Sequence, residues 1–273
     1  MNKLKYLEIK YNHQVSNIFL GNYKTAFRGR GIEFSNFKSY EYGDDSKDID
    51  WLVSAREGKV LIKQFQEDRE LQVLFVFDIT SSMNFGLKQR KIDTLINTFY
   101  LLGLSTLNSG GSIGGMFLGK NKEILNFGKG KPSIIRLLNK IDFFLEKNYE
   151  NDDEIDLSDV LKFKNKLIFI FTDKIQVNEK HFRICSLKND VIYINIFDSF
   201  ENTLSGANGL AGLSDISINL DDDLKKNKYI DLRSKKIIKF KSKINILGGS
   251  YLFIDESTNI YKRLLKLMKE RQR

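Results

Sequence analysis

Cysteine is nearly missing from this sequence: Cys185 is the single thiol. One cysteine excludes an intramolecular disulfide framework and fits a reducing compartment. Histidine is almost as scarce. His13 and His181 stand far apart in polar contexts, so together with one thiol they give no basis for a zinc site or a Cys-His nucleophile. No apolar run approaches the roughly 20 residues that a membrane-crossing helix needs. The opening MNKLKYLEIKYNHQ lacks the continuous hydrophobic stretch of a secretory leader. A soluble, cytoplasmic protein is expected. Nucleotide and acyl-transfer fingerprints are also missing. Gly29-x-Gly31 lacks a third glycine and the strand-before, helix-after setting of a dinucleotide loop, and there is no Walker A lysine motif and no G-x-S-x-G elbow.

What is present is a chain of 273 residues, 41% of them hydrophobic, enough for a real core in one large domain or two small ones. The net charge of +9 is unevenly spread. Residues 224 to 273 hold 15 Lys/Arg against 4 Asp/Glu, while the remainder is balanced at 29 against 31. The excess is therefore a local feature, and nucleic acid is not the expected partner. Lys235, Lys236, Lys239, Lys241 and Lys243, with Lys262, Arg263, Lys266, Lys269, Arg271 and Arg273, form either a solvated helix face or a surface that could contact acidic lipid, RNA or an acidic protein.

The patterning divides the chain near residue 70. Residues 1–70 read as a β-rich extension, with short strands at Gly31–Phe37 and Val60–Gln66, a helix or loop at Asn12–Asn22, and Gly-marked turns. Trp51, flanked by Ile49 and Leu52, reads as an anchoring core residue. Residues 71–273 alternate strands and helices, the mark of an α/β fold with a mostly parallel sheet flanked by helices. Buried strands are expected at Leu71–Phe77, Lys166–Phe171 and Val191–Phe197, each ending in an acid (Asp78, Asp173, Asp198). Helices are expected at Lys88–Leu107, Ser133–Leu145, Asp156–Phe163 and Asn259–Arg273. Ser112–Leu118 and Glu123–Phe127 read as an antiparallel edge hairpin, Lys228–Phe240 as a second hairpin, and Ser250–Ile254 as a last strand.

The chemistry concentrates at LQVLFVFDITSSMNFG, residues 71 to 86. A buried strand that delivers an acid and hydroxyls to its C-terminal end is how open α/β sheets build ligand sites. Asp78-x-Thr80-x-Ser82 offers hard oxygen ligands suited to Mg²⁺ or Mn²⁺; the same residues could instead cap the turn and the following helix.

Asp78-Ile79-Thr80-Ser81-Ser82 resembles the D-x-S/T-x-S signature of von Willebrand factor A domains. Upstream, Gly29-x-Gly31-x-Glu33-Phe34, Tyr40, Gly43-Asp44-Asp45, Ile49-Asp50-Trp51 and Ala55-Arg56 are similar to the hallmark block of the bacterial domain of unknown function 58 family. The resemblance implies a von Willebrand A-like domain over residues 71–273 carrying a metal-ion-dependent adhesion site. Asp78, Thr80, Ser82 and, from a later loop, Asp173 would be its ligands, and an acidic partner side chain would complete the coordination. A middle-loop threonine is expected where Ile155 stands; isoleucine cannot coordinate a cation, so either Asp156 or Ser158 substitutes or water fills the position, since Mg²⁺ usually keeps several waters. The resemblance further implies a non-enzymatic interaction module, an adaptor for a MoxR-type AAA+ ATPase in complex assembly or maturation. Two alternatives stay open. Asp78 could be the nucleophile of a metal-dependent phosphatase-like enzyme, although Thr80 stands where a second acid is usual, or the chain could be a scaffold whose metal site has degenerated. Gly43-Asp44-Asp45 and Asp50 read as turn residues bonded to backbone and paired with Arg28, Arg30 or Arg56.

Overall fold

Two strand patterns in the sequence build two kinds of sheet in the computed structural model, which describes residues 7, 32–67, 71–118, 122–147, 155–204, 210–213, 216–219 and 222–271. The chain divides into two compact units, residues 28–70 and residues 1–27 with 71–273. The expected segment at 12–22, together with Arg28 and Arg30, lies outside the described residues.

In the smaller unit β1 (Ile32–Ser39) pairs antiparallel with β2 (Leu61–Glu67), with an irregularity between Phe34 and Asn36. The acids between them cap the connection. Asp44 accepts from the Glu41 amide at 2.9 Å, Asp45 from the Lys47 amide, and Asp50 from the amides of Leu52 and Val53, opening α1 (Trp51–Glu57). Gly58 closes α1 at φ +67°, a left-handed position that suits glycine. Among the described residues, the cations that meet these acids are Lys38, 3.4 Å from Asp44, and Lys63, 3.0 Å from Asp50. Trp51 corrects the expectation of a core anchor: it is 69% exposed. The one buried residue of this short helix is Ser54, whose hydroxyl accepts from the Leu61 amide at 2.8 Å, so Trp51 and Leu52 lie on its outer side.

In the larger unit the apolar runs become β3 (Gln72–Asp78), β4 (Ser112–Leu118), β6 (Leu167–Thr172), β7 (Asp190–Ile196) and β10 (Ser250–Ile254), joined at one edge by β5 (Glu123–Gly128). The order is β10-β7-β6-β3-β4-β5, parallel throughout except for the β4–β5 pair. This is the expected fold class, a mostly parallel sheet flanked by helices with an antiparallel edge, accompanied by a small antiparallel sheet nearer the N-terminus. Strands covered on both faces need apolar residues at successive positions. Val73, Phe75 and Phe77 pack toward α2 (Lys91–Asn108), α3 (Lys131–Glu146) and α7 (Ile260–Glu270), and Leu7 joins this core. Leu74 and Val76 face the opposite layer, made by the 3-10 turn Ser158–Lys162, α4 (Glu179–Lys188) and α6 (Asp223–Ile246). Phe75, Phe77, Phe169 and Phe171 stack at 5.6–6.2 Å, with Phe99 edge-on at 4.9 and 5.2 Å. Glycine lets α3 approach β4: a Cβ on Gly115 would fall 2.1 Å from Leu137 Cδ2.

Residues 228–240 correct the hairpin expectation, since they lie inside the 24-residue helix α6. No glycine or proline interrupts 223–246 to make a turn, lysine and leucine favour helix, and the Asp222 carboxylate caps its start by accepting from the Lys225 amide. The helix expected over 156–163 is the 3-10 turn Ser158–Lys162. A short α5 (Ser199–Thr203) and the pair β8 (Leu210–Leu213) and β9 (Ile216–Asn219) separate β7 from α6. No helix among the described residues is long and apolar enough to cross a membrane.

Connectivity decides where a site can form. From β3 the chain runs through α2 to β4 on one side, then returns through β5 and α3 to β6 on the other. The loops leaving β3 and β6 therefore diverge, and the crevice between them is the topological switch point where such sheets place ligands.

Candidate functional site

Asp78, Thr80 and Ser82 leave β3 at that crevice, and Thr172 and Asp173 leave β6 beside them. The chain turns away from β3 through the 3-10 segment Ser81–Asn84. Asp78 is 2% exposed. Thr172 Oγ1 donates to its Oδ2 at 2.7 Å, and the Lys174 ammonium lies 3.5 Å from the same oxygen. Burial pushes the Asp78 carboxyl above its ordinary range; Lys174 pulls it back, the Asp173 charge adds to the rise, and the net direction is up. The β6 loop is itself fixed from below. Tyr193 donates to the Lys174 carbonyl, Asn195 to the carbonyls of Thr172 and Lys174, and Tyr251 to Asn195.

Asp173 faces a second cation. Lys91, the first residue of α2, places its ammonium 2.7 Å from Asp173 Oδ2 and 2.7 Å from Glu201 Oε1. Glu201 Oε2 in turn accepts from Arg233 at 2.6 Å. The Arg233 guanidinium also donates to Asn202 and Tyr229 and lies 4.8 Å over the Phe197 ring. Burial alone would lower the Lys91 ammonium, but the carboxylates of Asp173 and Glu201 hold it above its ordinary value. Three acids (Asp78, Asp173, Glu201) thus meet three cations (Lys174, Lys91, Arg233).

These residues do not fit a divalent cation as they stand. Each carboxylate of the set already carries an ammonium, and the Thr80 and Ser82 hydroxyls bond one another at 3.0 Å. Ile155 is buried and bridges to Val177. Its neighbours Asp156 and Ser158 belong to another cluster: Lys122 reaches Asp156 at 2.7 Å and Ser158 at 3.2 Å, Ser158 Oγ donates to Asp156, and His181 Nδ1 lies 3.0 Å from Asp156. Against its partial burial, Lys122 and Ser158 hold the Asp156 carboxyl far below the usual range. Among the described residues no group of three His, Cys, Asp or Glu side chains is disposed to hold a metal ion. The structure therefore brings Asp78, Thr80, Ser82 and Asp173 to one crevice and gives Asp156 and Ser158 partners of their own.

Sequence reasoning missed Lys91, Lys174, Glu201 and Arg233. A signal existed for Lys91, which stands four residues before Leu95 and eight before Phe99 on the buried stripe of α2, where lysine needs a partner. Also missed was the rim. Phe85 and Leu87, in the loop between β3 and α2, are 39% and 60% exposed. The Leu87 amide donates to Asp198 Oδ2 at 3.0 Å, tying this loop to the end of β7.

The profile of the family described as Protein of unknown function DUF58 matches residues 36–232. Uncharacterised proteins of Mycobacterium bovis and Mycobacterium tuberculosis are 31% identical over 83 residues, 30% of this chain. The chain spans 26% of the length of these curated relatives. Among solved structures, an aerotolerance-related membrane protein from Bacteroides fragilis is 13% identical with a TM-score of 0.43, covering 73% of this chain and 99% of its own. A von Willebrand factor type A protein from Catenulispora acidiphila is 9% identical with a TM-score of 0.40, covering 91% of this chain and 51% of its own.

Proposed function

We propose, for a chain that belongs to the DUF58 family, that it is a non-enzymatic protein-interaction module docking its partner on the loops at the C-terminal edge of the sheet. The observation that carries this reading is the pair Phe85 and Leu87. Two large apolar side chains are partly exposed on a loop whose base is fixed by a buried network of charges. Apolar anchors on a rigid, polar-rimmed platform are what interface hot spots are made of. The buried Asp78 carboxylate, bonded to Thr172 and facing Lys174, is poorly placed to attack a phosphate ester, which weighs against the phosphatase-like alternative. The partner the family resemblance implies is a MoxR-type AAA+ ATPase, met in the cytoplasm during complex assembly. Affinity capture with wild type and a Phe85→Ala/Leu87→Ala variant tests this reading. Loss of an ATPase from the variant supports it, and equal recovery by both baits refutes it.

A second reading concerns α6. Leu224, Leu232, Ile238 and Ile246 are exposed, and at 100° per residue they fall on one outward face together with Lys228, Lys235 and Lys239. Aliphatic side chains among lysines suit the surface of an anionic bilayer. Co-sedimentation with phosphatidylserine vesicles, lost in Lys235→Glu/Lys239→Glu and absent with neutral vesicles, is the expected result. Failure to sediment with either vesicle refutes it.

A further inference from the structure

We infer that Lys91 is the resident cation of the strand-end site, so that this chain organises its adhesion-type loops without a metal. The placement of Lys91 argues first. Its side chain is buried at the first position of α2, where both desolvation and the positive end of the helix dipole oppose a cation. Only a strong counter-charge makes that position tolerable. Two carboxylates supply it, Asp173 from the end of β6 and Glu201 from α5, each 2.7 Å from the ammonium.

Charge balance argues second. Asp78, Asp173 and Glu201 are matched one for one by Lys174, Lys91 and Arg233, at 3.5, 2.7 and 2.6 Å. A divalent ion placed among them would add two uncompensated charges to a buried site, where desolvation opposes it. The donor inventory argues third. The middle loop contributes Ile155, which is buried and carries no donor, and the nearby oxygens of Asp156 and Ser158 are held by Lys122. Where a metal would draw three loops together through oxygen ligands, Lys91 links β6, α2 and α5 through its ammonium, and Arg233 extends the link to α6.

Lys91 is thus a positioning residue that holds the base of the Phe85–Leu87 loop. An ammonium with two carboxylates against it has no vacant coordination position for an acidic partner side chain. Recognition at this edge then depends on apolar contact and shape.

The test uses the full chain, stripped with chelator and dialysed. Calorimetric titration of wild type with Mn²⁺ and with Mg²⁺ shows no saturable heat, and neither ion moves the thermal midpoint. Lys91→Met keeps the apolar stem and deletes the charge, leaving Asp173 without its cation and Glu201 with Arg233 alone. Its midpoint falls by roughly 10 °C, and Mn²⁺ or Mg²⁺ restores part of the loss in a chelator-reversible way. Saturable one-to-one binding in wild type, abolished by Asp78→Ala, overturns the inference. So does a Lys91→Met protein as stable as wild type and indifferent to metal. If Lys91→Met fails to fold, the wild-type titration decides alone.

Discussion

Lys91 and Asp173, 82 residues apart in sequence, meet at 2.7 Å beneath the loop that leaves the central strand. Neither side chain has appreciable contact with water. Breaking a buried pair by removing one charge costs about 3–5 kcal/mol when the survivor is left unpaired; in Asp173→Asn, Lys91 keeps Glu201, so the loss falls below that range. Asp173→Asn is still expected to lower the urea midpoint, whereas Lys266→Ala, on an exposed pair of α7, is expected to change it little. Chemical denaturation of the two variants side by side checks the contrast.

Asp78 should respond in a different way. Its carboxyl is raised by burial, so the protonated form is favoured more in the folded state than in the unfolded one. Stability from this group is present below the unfolded value near 3.8 and is lost as pH rises through the higher folded value. Asp78→Asn keeps an acceptor for Thr172 and removes the buried charge. It is expected to be milder than Asp78→Ala, which strands the Thr172 hydroxyl at a cost of about 1–3 kcal/mol. The comparison between wild type and Asp78→Asn should shift in favour of wild type between pH 7 and pH 4.5. Urea melts at the two pH values measure it.

The lone thiol offers a probe of opening. Cys185 is buried among Phe182, Val191 and Tyr193, and burial pushes its thiol up to about 12. Thiolate is the reactive form, so a disulfide reagent at pH 8 should label the native protein slowly. Labelling should become fast in denaturant, at a midpoint matching that of unfolding. Rapid labelling of the native chain would mean that α4 opens on its own.

In the smaller unit the Asp50 carboxylate caps α1 through two amides at 3.1 Å and pairs with Lys63. Asp50→Ala should cost about 1 kcal/mol, typical of a lost N-cap, and Asp50→Asn less. Thermal unfolding of both variants reads the difference.

The central strands were legible because burial on both faces demands unbroken apolar runs, and their ends were legible because Asp78, Asp173 and Asp198 interrupt those runs. Helix α6 was not. Its inner face is Ile237, Phe240 and Ile244, while Leu224, Leu232, Ile238 and Ile246 sit outside, so no clean helical period shows. Trp51 misled because an aromatic flanked by aliphatics reads as core, whereas a helix of seven residues with Ser54 inward has no room to bury it. At the site, the acids and hydroxyls declared themselves by position. Their cations did not, since the Lys91–Glu201 and Glu201–Arg233 contacts span 110 and 32 residues and exist only once α2, α5 and α6 are packed.

The proposed docking at the strand-end rim is tested most directly by a binding constant. A purified MoxR-type ATPase is titrated against the immobilised wild-type chain and against Phe85→Ala/Leu87→Ala, after matched circular dichroism and melting curves have shown both folded. Removing two partly exposed apolar anchors is expected to weaken binding by at least about tenfold, the equivalent of ~1.4 kcal/mol. An unchanged constant in the folded double variant would mean that the partner does not dock on Phe85 and Leu87.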